Sequence, residues 1–424
     1  MIDLKPTGRS AWAWIPSLYF AEGLPYVAVM AVAVLFYKDL GVSNLEIAYY
    51  TSWLYLPWVI KPLWSPVVEL LRTRRWWIWT MQVVVGAGFA GVALAIPSPH
   101  FFQLTLAFFW LVAFASATHD IAADGFYMLA TTEREQAAFS GVRNTFYRVA
   151  TIAGQGLLVM AAGKIQERTG NPAFAWSLAF APPALLLVLL GIYHWRALPQ
   201  PANDRRRAGS RDFAGGFVAT FGTFFRKPKI VALLAFLLLY RFGEAQLVKL
   251  VGPFLRDPRA VGGLGLTTEQ VGLIYGTAGV MALMSGGLLG GYVISRRGLK
   301  FWLWPMVLAI HLPDAVFVWL AHAQPENLGI IGACVAVEQF GYGFGFAAFM
   351  VYMIYIARGE NPTAHYAICT GFMALGMMLP GMFSGGLQQA IGYESFFVEV
   401  LKSTVPSILV VLLIPLDAEF GKKS

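Results

Sequence analysis

The chain has 424 residues, of which 58% are hydrophobic and only 13% are charged, and its mean hydropathy is +0.61. This composition is typical of an integral membrane protein and excludes a soluble globular domain. The net charge of +8 raises the question of nucleic acid, but the basic residues cluster between apolar segments, so we expect no nucleic-acid partner. The two cysteines, Cys334 and Cys369, lie in predicted helices and indicate neither disulfides nor a metal site.

Apolar segments of about 20 residues recur along the chain, and each is long enough to cross roughly 30 Å of hydrocarbon as a helix. They predict an all-α membrane protein with twelve transmembrane helices. The first apolar segment is too long for a signal peptide and lacks a small-residue cleavage site, so we interpret it as a retained span. The predicted spans are 12–36, 46–70, 76–96, 101–128, 138–162, 173–195, 229–254, 269–294, 300–322, 327–356, 364–390 and 395–416.

Basic residues are distributed unevenly between the two sides of this arrangement. The termini and the even-numbered loops hold twenty Lys and Arg residues, whereas the odd-numbered loops hold five. Because cytoplasmic loops carry an excess of Lys and Arg, both termini and the long middle loop are predicted to be cytoplasmic.

The middle loop is a solvated linker, rich in Pro, Gly, Asn and charge from Ala197 to Phe213. It separates six spans from six. We therefore predict an N-terminal six-helix bundle over 1–196, a cytoplasmic linker over 197–228 and a C-terminal six-helix bundle over 229–424.

The two halves share a faint repeat. YKDLGVSNLEIA (Tyr37 to Ala48) follows the first helix, and LRDPRAVGGLGLTTEQVG (Leu255 to Gly272) follows the seventh. Each contains an external loop, a glycine and a capping box, Ser43 with Glu46 in one and Thr267 with Gln270 in the other. The halves therefore predict two pseudo-symmetric bundles.

A basic turn follows about thirty residues later in each half, LLRTRRWW and GGYVISRRGLKFW. Its position resembles the loop between helices 2 and 3 of major facilitator transporters, which have parallel six-helix halves and midplane substrate sites. The alternative is ordinary cytoplasmic positive charge. The candidate conformational-gating residues are Glu69, Arg74, Arg75, Arg143, Gly291, Arg296 and Arg297.

Ionisable residues lie inside the predicted helix 4, in FASATHDIAADGFYM. An unpaired charge at the bilayer centre costs at least about 3 kcal/mol, so each must be paired, hydrated or functional. Asp120 and Asp124 share one helix face. Helical rise places Asp124 at the depth of Arg143, and Asp120 at that of Arg148, on helix 5. Two structural ion pairs are one interpretation. For Asp120, beside His119, a proton relay is favoured, although His119 alone could be a packed polar residue.

Helices 1 and 7 carry further buried charges. In YFAEGLPYV, Tyr19 to Val27, Pro25 removes a helical hydrogen bond close to Glu22. In helix 7, Arg241 and Glu244 have the spacing of an intrahelical pair, which leaves Lys249 in need of water, substrate or a partner across a cavity.

Helix 2 surrounds Lys61 with three prolines and three tryptophans. Aromatic rings beside a fixed charge suit sugars that carry anionic groups, and Trp53 and Trp58 also suit the interfacial aromatic belt. No phosphate loop, nucleophile elbow or metal-ligand spacing is present in the sequence, so no enzyme is predicted, and GYGFGF (Gly341 to Phe346) is small-residue helix packing.

Three segments of the first half resemble the AmpG-like permeases of the major facilitator superfamily. They are EGLP (Glu22 to Pro25), KPLWSP followed by Glu69, and HDIAADGF (His119 to Phe126), where His replaces the usual Gln. The resemblance implies the major facilitator fold, a bacterial inner membrane, and proton-driven import of N-acetylglucosaminyl anhydro-N-acetylmuramyl peptides or simpler related sugars.

The leading hypothesis is therefore a secondary active transporter that couples uptake of muropeptides or amino sugars to protons, and we expect a monomer. A permease for neutral oligosaccharides is the alternative, and a membrane signalling or scaffold protein is the second. No cofactor and no metal are expected. The predicted proton-coupling residues are Asp120, Glu22, His119 and Asp124, and the predicted substrate-binding residues are Lys61, Arg148, Arg241, Glu244, Lys249, Tyr19, Trp53 and Trp58.

Overall fold

The computed structural model describes residues 10–202, 204, 219, 221–359, 362–417 and 420, and this part of the chain contains helices and no strands. It forms two compact units, one of residues 10–33 and 60–204 and the other of residues 34–59 and 219–420. The segment 34–59 thus packs with the second unit. The domain boundaries predicted at 196 and 229 remain a prediction.

The described residues form seventeen α-helices, in addition to short 3₁₀ and π-helical segments. They are α1 (Ile15–Val27), α2 (Ala33–Asp39), α3 (Asn44–Trp53), α4 (Leu56–Leu71), α5 (Arg74–Ala95), α6 (Phe101–Ala130), α7 (Glu133–Thr151), α8 (Val159–Thr169), α9 (Pro172–Ala197), α10 (Ile230–Leu239), α11 (Phe242–Arg256), α12 (Thr268–Val271), α13 (Val280–Arg297), α14 (Leu299–His311), α15 (Ala315–Ala323), α16 (Leu328–Ala357) and α17 (Pro362–Val411).

Within the described residues, nine helical segments are long and apolar enough to span a membrane. Their number is consistent with twelve spans. The predicted span 46–70 divides into α3 and α4, and the predicted span 138–162 is the charged α7 continued by a π-helical segment and α8. The last two predicted spans run together in α17, where Gly392 has φ of 77° and separates two helices at a kink.

The first unit packs α5 against both α6 and α9, and α1 against α7. Glycine permits one of these approaches, because a Cβ on Gly86 of α5 would lie 2.7 Å from the Ala184 carbonyl oxygen of α9. The π-helical segment Ala28–Val32 follows α1 and begins three residues after Pro25. Proline lacks the N–H that a regular helical turn uses, so a local change of helix type here is expected.

The second unit packs α13 and α14 against α16, and α11 and α3 against α17. The glycines of GYGFGF lie on α16 at these contacts. A Cβ on Gly343 would lie 2.0 Å from the Leu283 carbonyl oxygen, and one on Gly341 would lie 2.1 Å from the Ala309 carbonyl oxygen. The prediction that this motif serves helix packing is confirmed.

The capping boxes within the repeated segments are both formed. Ser43 and Glu46 cap α3, and Thr267 and Gln270 cap α12, each with the side chain and backbone bonds in both directions. These caps satisfy N–H groups at the start of a helix. The repeat predicted from the sequence is therefore matched by the same local structure in both places.

Candidate functional site

The first unit contains an ion pair between α4 and α6. Lys61 Nζ donates a hydrogen bond to Asp120 Oδ2, and the two side chains are 19% and 20% exposed. The depth comparison predicted Arg148 as the neighbour of Asp120, and this pairing is wrong: within the described part of the chain, Arg148 forms no ion pair. Helical rise gives the depth of a residue but not the direction in which its side chain faces the other helices.

Asp124 forms the second pair, and here the predicted partner is correct. Arg143 Nη2 of α7 lies 2.5 Å from Asp124 Oδ1, and the Tyr19 hydroxyl of α1 donates to the same oxygen at 3.3 Å. The guanidinium lies 4.2 Å from the Tyr19 ring centroid and 4.3 Å from that of Tyr127. The aromatic faces attract the cation and hold it beside the carboxylate.

Glu22 of α1 completes this group of charges. It is buried, its Oε2 atom has no hydrogen-bond partner among the described residues, and its carboxylate interacts with Asp120 and Asp124. Three carboxylates therefore face two fixed cations, Lys61 and Arg143. One further positive charge would make the group neutral. We call these five residues the charged cluster of the first unit.

His119 belongs to a different network from Asp120, because consecutive residues on a helix point in different directions. Gln82 Nε2 lies 2.9 Å from His119 Nε2, and Gln82 Oε1 lies 2.8 Å from His194 Nδ1. Ser17 Oγ lies 3.0 Å from His194 Nε2. With the amide nitrogen donating, His119 Nε2 is an acceptor and its proton is on Nδ1, so the ring is neutral in this arrangement. Its proposed part in proton coupling stays a prediction.

Sequence reasoning missed Gln82, His194 and Ser17. All three are polar residues inside predicted apolar spans, and Gln82 and His194 are buried. That property is the signal by which they could have been found, because a buried polar side chain requires a partner.

The basic turn of the first half binds the chain that follows α9. The backbone N–H groups of Arg74 and Arg75 donate to the two carboxylate oxygens of Asp204, at 2.9 and 3.0 Å, and Arg75 Nε donates to the Leu198 carbonyl at 3.3 Å. A Cβ on Gly125 would lie 2.4 Å from Arg74 Nε. The glycine of HDIAADGF therefore makes room for the Arg74 side chain. The side chain of Glu69 lies outside the part of the chain that is described.

The basic turn of the second half is more open. Arg296 and Arg297 lie over the rings of Tyr292 and Phe301, at 5.2 and 5.0 Å from the centroids. Nothing lies within 4 Å of a Cβ built on Gly291. Packing in the second unit gives no steric reason for a glycine at that position.

Lys249 of α11 is a buried cation in the second unit. It is 4% exposed, its Nζ donates to Thr51 Oγ1 at 2.9 Å, and it lies 5.3 Å from the Tyr55 ring centroid. Within the described residues no carboxylate pairs with it. Trp53 and Trp58 are half-buried in the neighbouring α3 and α4. A buried ammonium with neutral partners is a strong candidate for binding an anionic group.

The predicted ion pair of Arg241 and Glu244 is not formed, and this prediction is wrong. The helix breaks at Tyr240 and Arg241, so Arg241 precedes α11 as its N-cap and does not share a regular turn with Glu244. Arg241 instead donates to the Tyr342 hydroxyl and lies 5.0 Å from that ring centroid. Both carboxylate oxygens of Glu244 are buried without a hydrogen-bond partner in the described structure.

Reciprocal ion pairs join the ends of α2 and α11. Lys38 Nζ lies 2.5 Å from Asp257 Oδ1, and Arg256 Nε lies 2.7 Å from Asp39 Oδ1. Each helix thus ends in a basic residue followed by an acidic one, and each member pairs with the opposite member of the other helix. The sequence repeat contains this signal, since YKD and LRD occupy equivalent positions.

Polar side chains extend both pairs. The Tyr393 hydroxyl donates to Asp257 Oδ2 at 2.6 Å, and Asn44 Nδ2 lies 2.8 Å from Gln388 Oε1. Thr268 Oγ1 donates to Asp39 Oδ2 at 2.6 Å. Hydrogen bonds to ionised carboxylates are stronger than neutral ones, so this network ties segment 34–59 firmly to the second unit.

With the fold and these sites established, the sequence can be compared with known proteins. Residues 17–417 match the family described as the Major Facilitator Superfamily. The chain belongs to the major facilitator superfamily. The protein is accordingly a membrane transporter and not an enzyme.

Several known proteins are similar to nearly the whole chain. An uncharacterized protein of Haemophilus influenzae is 25% identical, with 96% of this chain and 95% of the relative covered. The putative transporter AmpG 4 of Rickettsia conorii is 23% identical, with 93% and 94% covered. The anhydromuropeptide permease of Escherichia coli K12 is 23% identical, with 96% and 80% covered.

Solved transporter structures share the fold. The nucleoside transporter NupG superposes with a TM-score of 0.70 at 14% identity, covering 95% of this chain and 98% of NupG. A D-xylose-proton symporter gives a TM-score of 0.68 at 13% identity, covering 95% and 96%. At these identities the likeness establishes the major facilitator fold and nothing about the substrate.

Proposed function

We propose that the protein imports anhydromuropeptides or related amino sugars across the bacterial inner membrane and that the proton gradient drives this import. The name of the Escherichia coli relative, anhydromuropeptide permease, supports this substrate class. The observation that carries the proposal is the charged cluster of the first unit, in which three carboxylates face two cations.

Proton coupling follows from the charge imbalance of that cluster. A buried net negative charge is costly in a membrane, and binding one proton removes it. Glu22 and Asp120 are the carriers in this proposal, and Lys61 is the counter-charge that Asp120 releases when it is protonated. Release of Lys61 would free an ammonium for substrate only when the proton is bound, which links the two events.

Substrate recognition follows from the uncompensated cations. Muropeptides carry carboxylates that must leave water on entering a site, and fixed positive charge makes this favourable. Lys249 supplies such a charge in the second unit, and Arg148 is a second unpaired cation among the described residues of the first. Tyr19, Trp53 and Trp58 are the proposed aromatic contacts for sugar rings.

Orientation and gating complete the proposal. Both termini face the cytoplasm, as the distribution of basic residues predicts. The basic turns with Arg74 and Arg75, and with Arg296 and Arg297, then lie on the cytoplasmic side and contribute to gating there. The reciprocal ion pairs of α2 and α11 lie on the opposite side, where their opening would admit substrate.

Uptake by proteoliposomes under an imposed pH gradient tests this function. Labelled anhydromuropeptide should accumulate when the outside is acidic, and collapse of the gradient by a protonophore should stop the accumulation. Labelled neutral disaccharide serves as the comparison ligand. Gradient-driven accumulation of the disaccharide, without competition by muropeptide, would replace the proposal with a permease for neutral oligosaccharides.

A further inference from the structure

Three carboxylates from separate parts of the second unit lie together. Glu244 is on α11, Asp314 ends the 3₁₀ turn after α14, and Glu338 is on α16. One carboxylate oxygen from each lies within 4.8 Å of the others. Residues 24 to 94 positions apart in the sequence are thus brought to one point, and we call Glu244, Asp314 and Glu338 the carboxylate triad.

The triad is sealed from solvent and lacks hydrogen-bond donors. The three side chains are at most 1% exposed. Both oxygens of Glu244, both oxygens of Asp314 and Oε1 of Glu338 have no hydrogen-bond partner among the described residues. Only Glu338 Oε2 accepts a bond, from Gln339 Nε2 at 3.0 Å. An ionised carboxylate in such a place would lack both water and a donor, which is the costliest state for a buried charge.

The groups around the triad do not compensate three negative charges. Arg241 interacts with Glu244, but its guanidinium lies over the rings of Tyr342 and Phe346 and its Nε is buried without a hydrogen-bond partner in the described structure. Tyr275 faces Glu338 and Glu244. His311 lies one turn before Asp314, and both its ring nitrogens are buried and unpartnered within the described residues. One guanidinium therefore faces three carboxylates.

We propose that Glu244, Asp314 and Glu338 form a proton-binding site, in which the carboxyl groups hold protons between them in the folded protein. A protonated carboxyl is both a donor and an acceptor, so O–H groups supply the hydrogen bonds that the five oxygens lack. Two carboxyl groups so close cannot easily both be ionised, and shared protons remove their repulsion. This site is separate from the charged cluster of the first unit.

A proton suits this site better than a metal ion. Sodium and calcium take several oxygen ligands, including carbonyl or amide oxygens and water. Arg241, which interacts electrostatically with Glu244, would repel a metal ion, whereas protons bind to individual carboxyl oxygens.

Infrared difference spectroscopy of the full-length protein in liposomes tests the proposal directly. The carbonyl stretch of protonated carboxyl groups is recorded at neutral pH and again at alkaline pH. We expect Glu244→Gln, Asp314→Asn and Glu338→Gln each to remove part of this signal. Glu399→Gln is the matched control, because Glu399 is an exposed carboxylate paired with Lys402, and it should leave the signal unchanged.

Thermal unfolding supplies a second measurement for variants that fold poorly. Rising pH removes the protons and leaves repelling charges, so the melting temperature of the parent should fall at alkaline pH. The fall should be smaller in Glu338→Gln and unchanged in Glu399→Gln. NaCl and CaCl₂ are added separately as probes of a metal site. Each salt should change the melting temperatures of the parent and of the triad variants by the same amount.

Two results would overturn the proposal. One is a protonated-carboxyl signal that none of the three triad variants reduces. The other is stabilisation by sodium or calcium that is lost in Glu338→Gln, which would assign the triad to a metal ion. Both measurements are made without substrate or a membrane gradient. Failure of the uptake experiment therefore leaves this proposal standing, and failure here leaves the transport proposal standing.

Discussion

Lys61 and Asp120 are 59 residues apart in the sequence and form an ion pair inside the first unit. Each belongs to a segment that resembles the AmpG-like permeases, KPLWSP in one case and HDIAADGF in the other. The two motifs thus meet in one interaction. The pairing gives a physical reason for a lysine and an aspartate in apolar helices, since each lowers the cost of burying the other.

Replacement of Asp120 separates a structural role from a coupling role. Asp120→Asn leaves Lys61 without its counter-charge, and we expect loss of gradient-driven accumulation together with about 3 kcal/mol of stability. The double variant Lys61→Gln, Asp120→Asn has no stranded charge and should recover the melting temperature. Gradient-driven accumulation should stay absent in this double variant. If the stable double variant accumulates substrate normally, Asp120 carries no coupled proton.

Lys249→Gln tests the recognition of anionic substrates. The change keeps most of the side-chain stem and removes the charge, so affinity for anhydromuropeptide should fall about tenfold, corresponding to about 1.4 kcal/mol. Affinity for a neutral disaccharide should change much less. Lys402→Gln, at an exposed lysine, is the control and should bind as the parent does. Equal losses for both ligands in Lys249→Gln would argue against a charge-specific contact.

The reciprocal ion pairs predict measurable coupling between the ends of α2 and α11. Lys38→Gln and Asp257→Asn should each lower the melting temperature, and the double variant should lose less than the sum. A double-mutant cycle should give a coupling free energy of about 0.5–3 kcal/mol. Additive effects within error would mean that the pair contributes little. Cysteine accessibility next to Asp257 should rise in both single variants if the network closes this side of the transporter.

Two glycines of the second unit, Gly343 and Gly291, allow a controlled test of helix packing. A Cβ on Gly343 would lie 2.0 Å from the Leu283 carbonyl oxygen, whereas one on Gly291 meets nothing within 4 Å. Gly343→Ala must push two helix backbones apart and should cost about 1–3 kcal/mol. Gly291→Ala should leave the melting temperature unchanged. Reduced transport by a normally stable Gly291→Ala protein would support the gating role predicted for the second basic turn.

The orientation of the chain is tested by reporter fusions. Alkaline phosphatase fused after Arg207 should be inactive, because the linker is predicted to be cytoplasmic, and a fluorescent protein at the same position should be bright. A fusion after Gly41 should give active phosphatase. Phosphatase activity at Arg207 would reverse the predicted orientation, and with it the assignment of the basic turns to the cytoplasmic side.

The sequence alone determined the helical membrane architecture of this protein. Apolar length and the capping signals at Ser43 and Thr267 are local properties, so the spans, the caps and the start of each repeat could be predicted without knowledge of the neighbours. The packing role of GYGFGF was predictable for a similar reason, since three glycines in one short helical segment favour close backbone contact. The three motifs of the first half also sufficed to indicate a transporter of this class.

Only the tertiary structure decided which buried groups meet. Asp124 and Arg143 were predicted as partners because adjacent helices constrain them to one depth, but the same argument chose Arg148 for Asp120, where Lys61 is found. The position of a side chain around its helix axis, and the order in which helices pack, depend on contacts far apart in the sequence. For that reason the triad of Glu244, Asp314 and Glu338 emerges only in three dimensions.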